Sequence, residues 1–464
     1  MTTRALIERF PGAEKLARHL VSLYPLAARL GQHFWMWFAL FQESEGWSEE
    51  QIRRFQFERL RSLLSRLAET SSFYAERLRG VPVASLMTLE EFRKHVSPLT
   101  RQEYAGRYAD IRSRTFHRRA CAPCSTSGTT GNALQFYHSA EDRQREWAAI
   151  SHQWRRVGYD PARSRRAEFR GLTSRRALFQ EFPDQNMIRF SILDLHAGNL
   201  PRMSDAIASS GLRFFHGYPS AIYLLAREIQ RSGLRFPQPD AVLLASEAVY
   251  DFQLQQIQAA FPNSHLFAHY GCAERTVLAG WCEHRRSYHV LPLYSLVEVE
   301  NTTREIIGTN LYNEVNGFVR YRMTDTASEV ESGPCPACHR PYTPVFSAID
   351  GRQEDYLFSR ERGWIPPAIV TYPLKHLHCI LEMQFQQHDP DNIDLLYVRR
   401  DGASGEVAVN ELREIETGLR ELIGNSTRFH VREVSEIPRG RTGKYKWIVS
   451  RLDPRFDALN PATR

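Results

Sequence analysis

Ser125-Thr126-Ser127-Gly128-Thr129-Thr130-Gly131 is the stretch on which the reading of this chain turns. Its two glycines let the backbone bend tightly and come close to a ligand. Between them, hydroxyls and successive backbone N–H groups can surround phosphate oxygens. A short strand ending near Cys124 leads into it. No Gly-Lys-Ser/Thr comes after it, so the lysine that a Walker loop places on the terminal phosphates is missing and the P-loop NTPase reading fails. On composition alone a solvated Ser/Thr-Gly turn explains the stretch equally well.

Five further segments, in a fixed order, decide between these readings. Downstream lie Ala245-Ser246-Glu247, Tyr270-Gly271-Cys272-Ala273-Glu274, Arg320-Tyr321-Arg322-Met323-Thr324-Asp325, Asp350-Gly351-Arg352 and Pro438-Arg439-Gly440-Arg441-Thr442-Gly443-Lys444. With the loop, these segments resemble the adenylate-forming superfamily and, within it, the phenylacetate-coenzyme A ligase and CapK-like branch. The likeness runs from about Gln51 to about Val449. It includes the weaker features Phe73-Tyr74, Leu99-Thr100-Arg101 and Gly217-Tyr218-Pro219-Ser220. A single match of this kind is weak, whereas an ordered series is not.

The resemblance implies a role for each position. Ser125, Thr126, Ser127, Gly128, Thr129, Thr130 and Gly131 would hold the phosphates of ATP, with Thr130 among the catalytic groups. Tyr270 would stack on adenine in the turn that carries Gly271 and Ala273, and Glu274 would help hold Mg²⁺. Ala245, Ser246 and Glu247 would line the nucleotide, although the family's leading Gly is Ala245 here. Asp325 would accept hydrogen bonds from the ribose hydroxyls. Arg352 would lie near ribose and phosphate at a hinge, and Lys444, with Lys446 as the alternative, would enter the site during adenylation.

The implied activity is an AMP-forming ligase. It joins a carboxylic acid to AMP and passes the acyl group to coenzyme A. Transfer to an amine or a carrier, in polysaccharide or natural-product biosynthesis, is the alternative. A non-catalytic nucleotide-binding scaffold is the rival from another class, and retention of Glu274, Asp325 and Lys444 argues against it. The chemistry suits these groups. A carboxylate is a poor acyl donor until its oxygen is joined to the α-phosphate, and that step needs positive charge aimed at the phosphate. Lysine provides a compact charge on a flexible stem that can arrive and leave with a moving lid.

The 464 residues exceed what one hydrophobic core usually serves. We expect an α/β protein in two parts. Residues 1–351 would form a large N-terminal domain of packed β-sheets and helices with a helical N-terminal region, and residues 352–464 a small mobile α+β lid. A helix should begin at Ser48 with a capping box to Gln51, and another at Thr88 with Glu91 three residues on. In the lid, 393–399 and 429–437 read as strands and 409–423 as a helix ended by Gly424. Phe136, Tyr137 and Tyr218 are candidate walls for an apolar or aromatic acid.

Formal net charge is +7, from 60 Lys plus Arg against 53 Asp plus Glu. No nucleic-acid module accompanies it, so nucleic acid is not an expected partner; the resemblance implies a small carboxylic acid and a thiol or amine acceptor. The runs at Arg112–Arg119 and Arg163–Arg166 read as solvated faces. The apolar run from His33 to Phe41 is far short of a bilayer span, and no secretory signal precedes it, so the cytoplasm is the expected location. A homodimer stays open.

Seven cysteines are too few for a disulfide scaffold of this length. Cys335 and Cys338 form a Cys-x-x-Cys turn, and Cys282 and His289 lie upstream, a set that resembles the structural zinc of some members of the branch. His284 competes with His289 for the imidazole position, and an ordinary cysteine-bearing turn is the alternative. Cys121 and Cys124 form a second pair, which we read as buried thiols beside a strand. Cys379, His216 and His269 read as core.

Overall fold

The computed structural model describes residues 11–117, 121–125, 134–170, 177–350, 356–365, 370, 379–400, 405–437 and 447–452. Thr126 to Gly131, Arg352, Lys444 and Lys446 lie outside the described residues, as does the rest of the 439–444 segment.

The large domain is organised by one twelve-stranded sheet. Its parallel half comprises β3 (Arg166–Arg170), β5 (Met187–Ser191), β6 (Phe214–Gly217), β7 (Ala241–Ala245) and β8 (His265–Gly271). β4 (Phe179–Phe182) closes one edge antiparallel to β5. The other half is antiparallel: β9 (Leu278–Trp281), β10 (Tyr288–Val290), β11 (Ser295–Val299), β12 (Glu305–Asn310), β13 (Tyr321–Glu331) and β14 (Val345–Asp350). From edge to edge the order is β11-β12-β13-β14-β10-β9-β8-β7-β6-β3-β5-β4. All five residues of β7, Ala-Val-Leu-Leu-Ala, are buried, as a parallel strand covered on both faces requires. Its flanking helices, Pro219–Ser232 and Asp251–Ala260, give the alternation seen in the sequence.

Helices cover the N-terminal side. The His33–Phe41 run falls in the Gln32–Ser44 helix, where Phe34, Trp37, Phe38 and Phe41 are buried, so packing accounts for its apolarity. Ser48 and Thr88 cap their helices through the expected capping boxes. A hairpin of β1 (Cys121–Ser125) and β2 (Gln135–Ser139) stands apart from the large sheet, and β2 runs into the Ala140–Trp154 helix, capped by Ser139.

After the large sheet comes a short hairpin of β15 (Leu357–Ser359) and β16 (Gly363–Ile365). The C-terminal part is then built on a separate four-stranded sheet, ordered β19 (Arg428–Glu433), β18 (Asn392–Arg399), β17 (Ile380–Asp389), β20 (Ile448–Ser450). β17 and β18 are antiparallel; the outer strands pair parallel to them. The helix spans Gly405–Ile423, beginning earlier than expected, and Gly424 comes next at φ 103°, a conformation that favours glycine. β19 stops at Glu433, short of the expected 437.

Three expectations need correction. Arg166 is not on a solvated face: it is buried at the start of β3, donates to Tyr159 Oη at 3.2 Å and the Gln185 carbonyl at 3.1 Å, and lies over the Trp147 ring. Cys121, Cys124 and Cys379 are half-buried rather than core; the first two belong to a strand that, among the described residues, pairs with β2 alone. Phe136 is no pocket wall but fully buried, 5.5 Å from Phe318 in edge contact.

Candidate nucleotide and metal sites

Three of the motif segments, 245–247, 270–274 and 320–325, meet at one end of the large sheet. β7 and β8 pair in parallel with Ala245 opposite His269, so Ser246-Glu247, just past the end of β7, lie beside Tyr270-Gly271 at the end of β8. Ser246 is exposed at φ 72°, the left-handed region that a non-glycine residue enters only when its surroundings hold it there. Glu247 turns inward. Its Oε2 accepts from the Ser220 backbone N–H at 3.2 Å, at the start of the Pro219–Ser232 helix, and its Oε1 is buried with no hydrogen-bond partner among the described residues. Burial, against the nearby Ser220, raises its pKa to about 7.

At the end of β8 the Tyr270 hydroxyl donates to Asp325 Oδ2 at 2.5 Å, joining two segments 55 residues apart. Burial and the adjacent carboxylate push this phenol well above its ordinary pKa, so it stays a donor. Glu274, only 6% exposed, sits in the turn beyond it, and its carbonyl accepts from Asn310 Nδ2 at 3.3 Å. Its negative charge also raises the pKa values of Tyr321 and Cys272, after burial, which places the carboxylate among them. Thr326 pairs with Asp350, so the Asp350 backbone lies beside Asp325 at the last strand of the large sheet. On the other side, Leu99 N donates to the Arg320 carbonyl at 2.8 Å and Arg322 N to the Leu99 carbonyl at 3.0 Å.

The hairpin that leads into and out of the Ser125–Gly131 segment is fixed against this turn. Ser125 ends β1 opposite Gln135. His138 on β2 bonds through Nε2 to the Ala273 carbonyl at 2.9 Å, one residue before Glu274. Burial, with Arg275 nearby, lowers the His138 pKa to about 4, so the neutral ring carries its proton on Nε2 and donates. Asn316 clamps the same strand from the side: Tyr137 N donates to its Oδ1 at 3.0 Å and its Nδ2 to the Tyr137 carbonyl at 2.7 Å. Sequence reading missed both His138 and Asn316. Neither lies in a motif, and their partners are 135 and 179 residues away.

Cys282, His289, Cys335 and Cys338 converge. Their candidate ligand atoms all lie within 4.8 Å of one another, and the three thiols are free. His289 Nε2 is 3.7 Å from Cys338 Sγ, while Nδ1 lies 3.3 Å from the Tyr342 carbonyl. A proton on Nδ1 leaves the Nε2 lone pair facing the thiols, the arrangement a metal-bound imidazole takes. This resolves the imidazole in favour of His289, since His284 is outside the cluster, and Cys121 and Cys124 do not contribute to it. The donor set and its closure fit a tetrahedral zinc site. Arg340, just past the knuckle, donates to Glu283 at 2.6 Å and to Glu45 at 3.0 Å, tying the turn to the end of the Gln32–Ser44 helix.

A large mixed sheet whose motif loops gather at one end, with a small α/β sheet after it, is the fold of the adenylate-forming ligases. Among solved structures, 2-hydroxyisobutyryl-CoA ligase in complex with 2-HIB-AMP and CoA in the thioesterification state aligns with TM-score 0.61 and 16% identity, covering 90% of this chain and 93% of that one. The same ligase in the postadenylation state with 2-HIB-AMP gives 0.53 and 16%, over 88% and 90%. Residues 357–451 match the CapK C-terminal domain, and the chain is similar to Protein CapK of Staphylococcus aureus. The identity is 21% over 418 residues, 86% of this chain and 89% of that protein. No helix among the described residues is long and apolar enough to cross a membrane.

Proposed function

We propose that this chain activates a carboxylic acid with ATP as an acyl-adenylate and transfers the acyl group to the thiol of coenzyme A. The observation that carries this reading is the junction of Tyr270, Asp325 and Glu274 beside a hairpin held to the same turn through His138. On this reading the Tyr270 ring serves adenine, Asp325 the ribose hydroxyls and Glu274 Mg²⁺, and the contact between Tyr270 and Asp325 supports it. Thr130 and its neighbours hold the phosphates. Lys444 delivers the charge that stabilises the pentacovalent α-phosphate, and Arg352 stands at the pivot between residues 1–351 and the lid from residue 352. Cys282, His289, Cys335 and Cys338 would hold a zinc ion that would fasten the turn before the pivot, with a structural and not a catalytic role.

A second reading has one observation behind it. The likeness to Protein CapK extends over most of both chains, and the resemblance to the CapK-like branch implies an amine or carrier acceptor as the alternative to coenzyme A. Pyrophosphate release over a panel of carboxylic acids tests the first half-reaction, with mass spectrometry of the products testing the acceptor. The proposal expects release with at least one acid and a coenzyme A thioester as product. No release with any acid would overturn the activation step, and an amide in place of the thioester would overturn the acceptor.

A further inference from the structure

Beside the nucleotide residues lies a buried charged cluster that ATP chemistry does not use. Glu168 on β3 pairs with Arg189 on β5 and with His216 on β6, so the three stand in a row across adjacent parallel strands. Two residues further on, the same face carries Arg170, Tyr218 and, across β7, His269. These are the carboxyl ends of the parallel strands, where open α/β sheets receive ligands. Trp154 covers them, with its ring 4.9 Å from His216 and its Nε1 donating to His269 Nδ1 at 3.3 Å.

The charges do not balance. Glu168, 5% exposed, accepts from Arg189 Nε at 2.5 Å and lies 3.5 Å from Arg170 Nε and 3.4 Å from His216 Nδ1. Burial lowers the His216 pKa to about 4 despite the Glu168 carboxylate, and lowers His269 to about 3, so both rings are neutral near pH 7. Burial opposes ionisation of Glu168, but the contact with His216 and then the Arg170 and Arg189 guanidiniums outweigh it and hold the carboxyl well below the usual range. Two guanidiniums therefore face one carboxylate.

The surplus sits on Arg170. Its Nε is buried without a hydrogen-bond partner among the described residues, while the side chain stays one-third open to solvent, 5.2 Å over the Tyr218 ring. Tyr218 in turn lies within the electrostatic reach of both Glu168 and Glu247, linking the cluster to the Ser246-Glu247 turn. A partly buried guanidinium with open donors is costly unless an anion completes it, and its planar fork matches a carboxylate or phosphate in two-point contact.

We propose that Arg170, supported by Arg189 and Glu168, receives a second anionic group of the acid this chain activates, so that its substrates are dicarboxylic acids or acids with another anionic substituent. This rests on the acid-activating reading above, and it replaces an apolar or aromatic acyl pocket with a polar one.

The test compares pyrophosphate release from matched acids, aliphatic and aromatic, that differ only in a distal carboxylate or a methyl in its place. The diacid should be favoured in kcat/KM by about 10- to 100-fold, the scale of a charged two-point hydrogen bond. Arg170→Met should erase that preference through KM for the acid, and Arg170→Lys should restore part of it, with KM for ATP unchanged. The double variant Glu168→Gln/Arg189→Met, which removes the buried pair together, should also weaken the preference. Equal use of both acids by the unmodified protein overturns the inference but leaves acid activation standing, as does a diacid preference that survives in Arg170→Met. Release with no acid of either kind overturns both.

Discussion

At the scale of single residues, Tyr270, Asp325 and Glu247 carry separable expectations. Asp325→Ala should raise KM for ATP by roughly tenfold or more, the value of a hydrogen bond to a charged group; an unchanged KM would remove the ribose assignment. Glu247 makes a prediction about stability. Its folded pKa, about 7, lies above the ordinary 4.5, so the folded chain holds a proton that the unfolded chain releases. Stability from this group is complete below pH 4.5 and is lost as pH rises toward 7, by up to about 3 kcal/mol. Glu247→Gln should therefore flatten the unfolding midpoint across that range and raise it at pH 8; a slope identical to that of the parent would contradict the buried, proton-holding carboxyl. What the sequence revealed at this scale was what glycine, charge and order can mark: Tyr270, Glu274 and Asp325 lie in short segments whose spacing is informative. The row of Glu168, Arg189 and His216 was not visible, because the register of three strands from separate segments creates it; His216 alone stands out in the sequence, where it reads as core.

At the scale of elements, the antiparallel hairpin and the cysteine turn act as braces. The capping boxes at Ser48 and Thr88 were legible since they need only four consecutive residues. The choice of His289 over His284 was not, because it depends on which residue of a short strand faces the Cys335–Cys338 turn. Purified protein should hold close to one zinc per chain, and Cys335→Ser should lower both zinc content and the unfolding midpoint; metal analysis showing no zinc in the parent would defeat the site. Arg340→Met should cost roughly 1 kcal/mol, because it removes the contacts to Glu283 and Glu45, both partly open to solvent. A denaturation midpoint within error of the parent would show that the knuckle is not held this way.

For the molecule as a whole, the reading requires two parts that cooperate in turn. They touch where the Tyr356 hydroxyl accepts from Gln253 Nε2. The break between a twelve-stranded sheet and a four-stranded one was legible in outline, since alternating apolar and amphipathic segments give way to a shorter plan after Asp350. The edges of the small domain were less so: its helix starts at Gly405, ahead of the apolar periodicity, because propensity alone does not mark a first turn. Lys444→Ala should abolish carboxylate-dependent exchange of pyrophosphate with ATP while sparing transfer from supplied acyl-AMP, which separates the two half-reactions. The attack of a carboxylate oxygen on the α-phosphate is the central claim, and heavy-oxygen labelling of the acid's carboxylate reads it directly. After turnover in ordinary water, AMP should carry one labelled oxygen from the acid; unlabelled AMP, or label appearing in inorganic phosphate, would contradict the account.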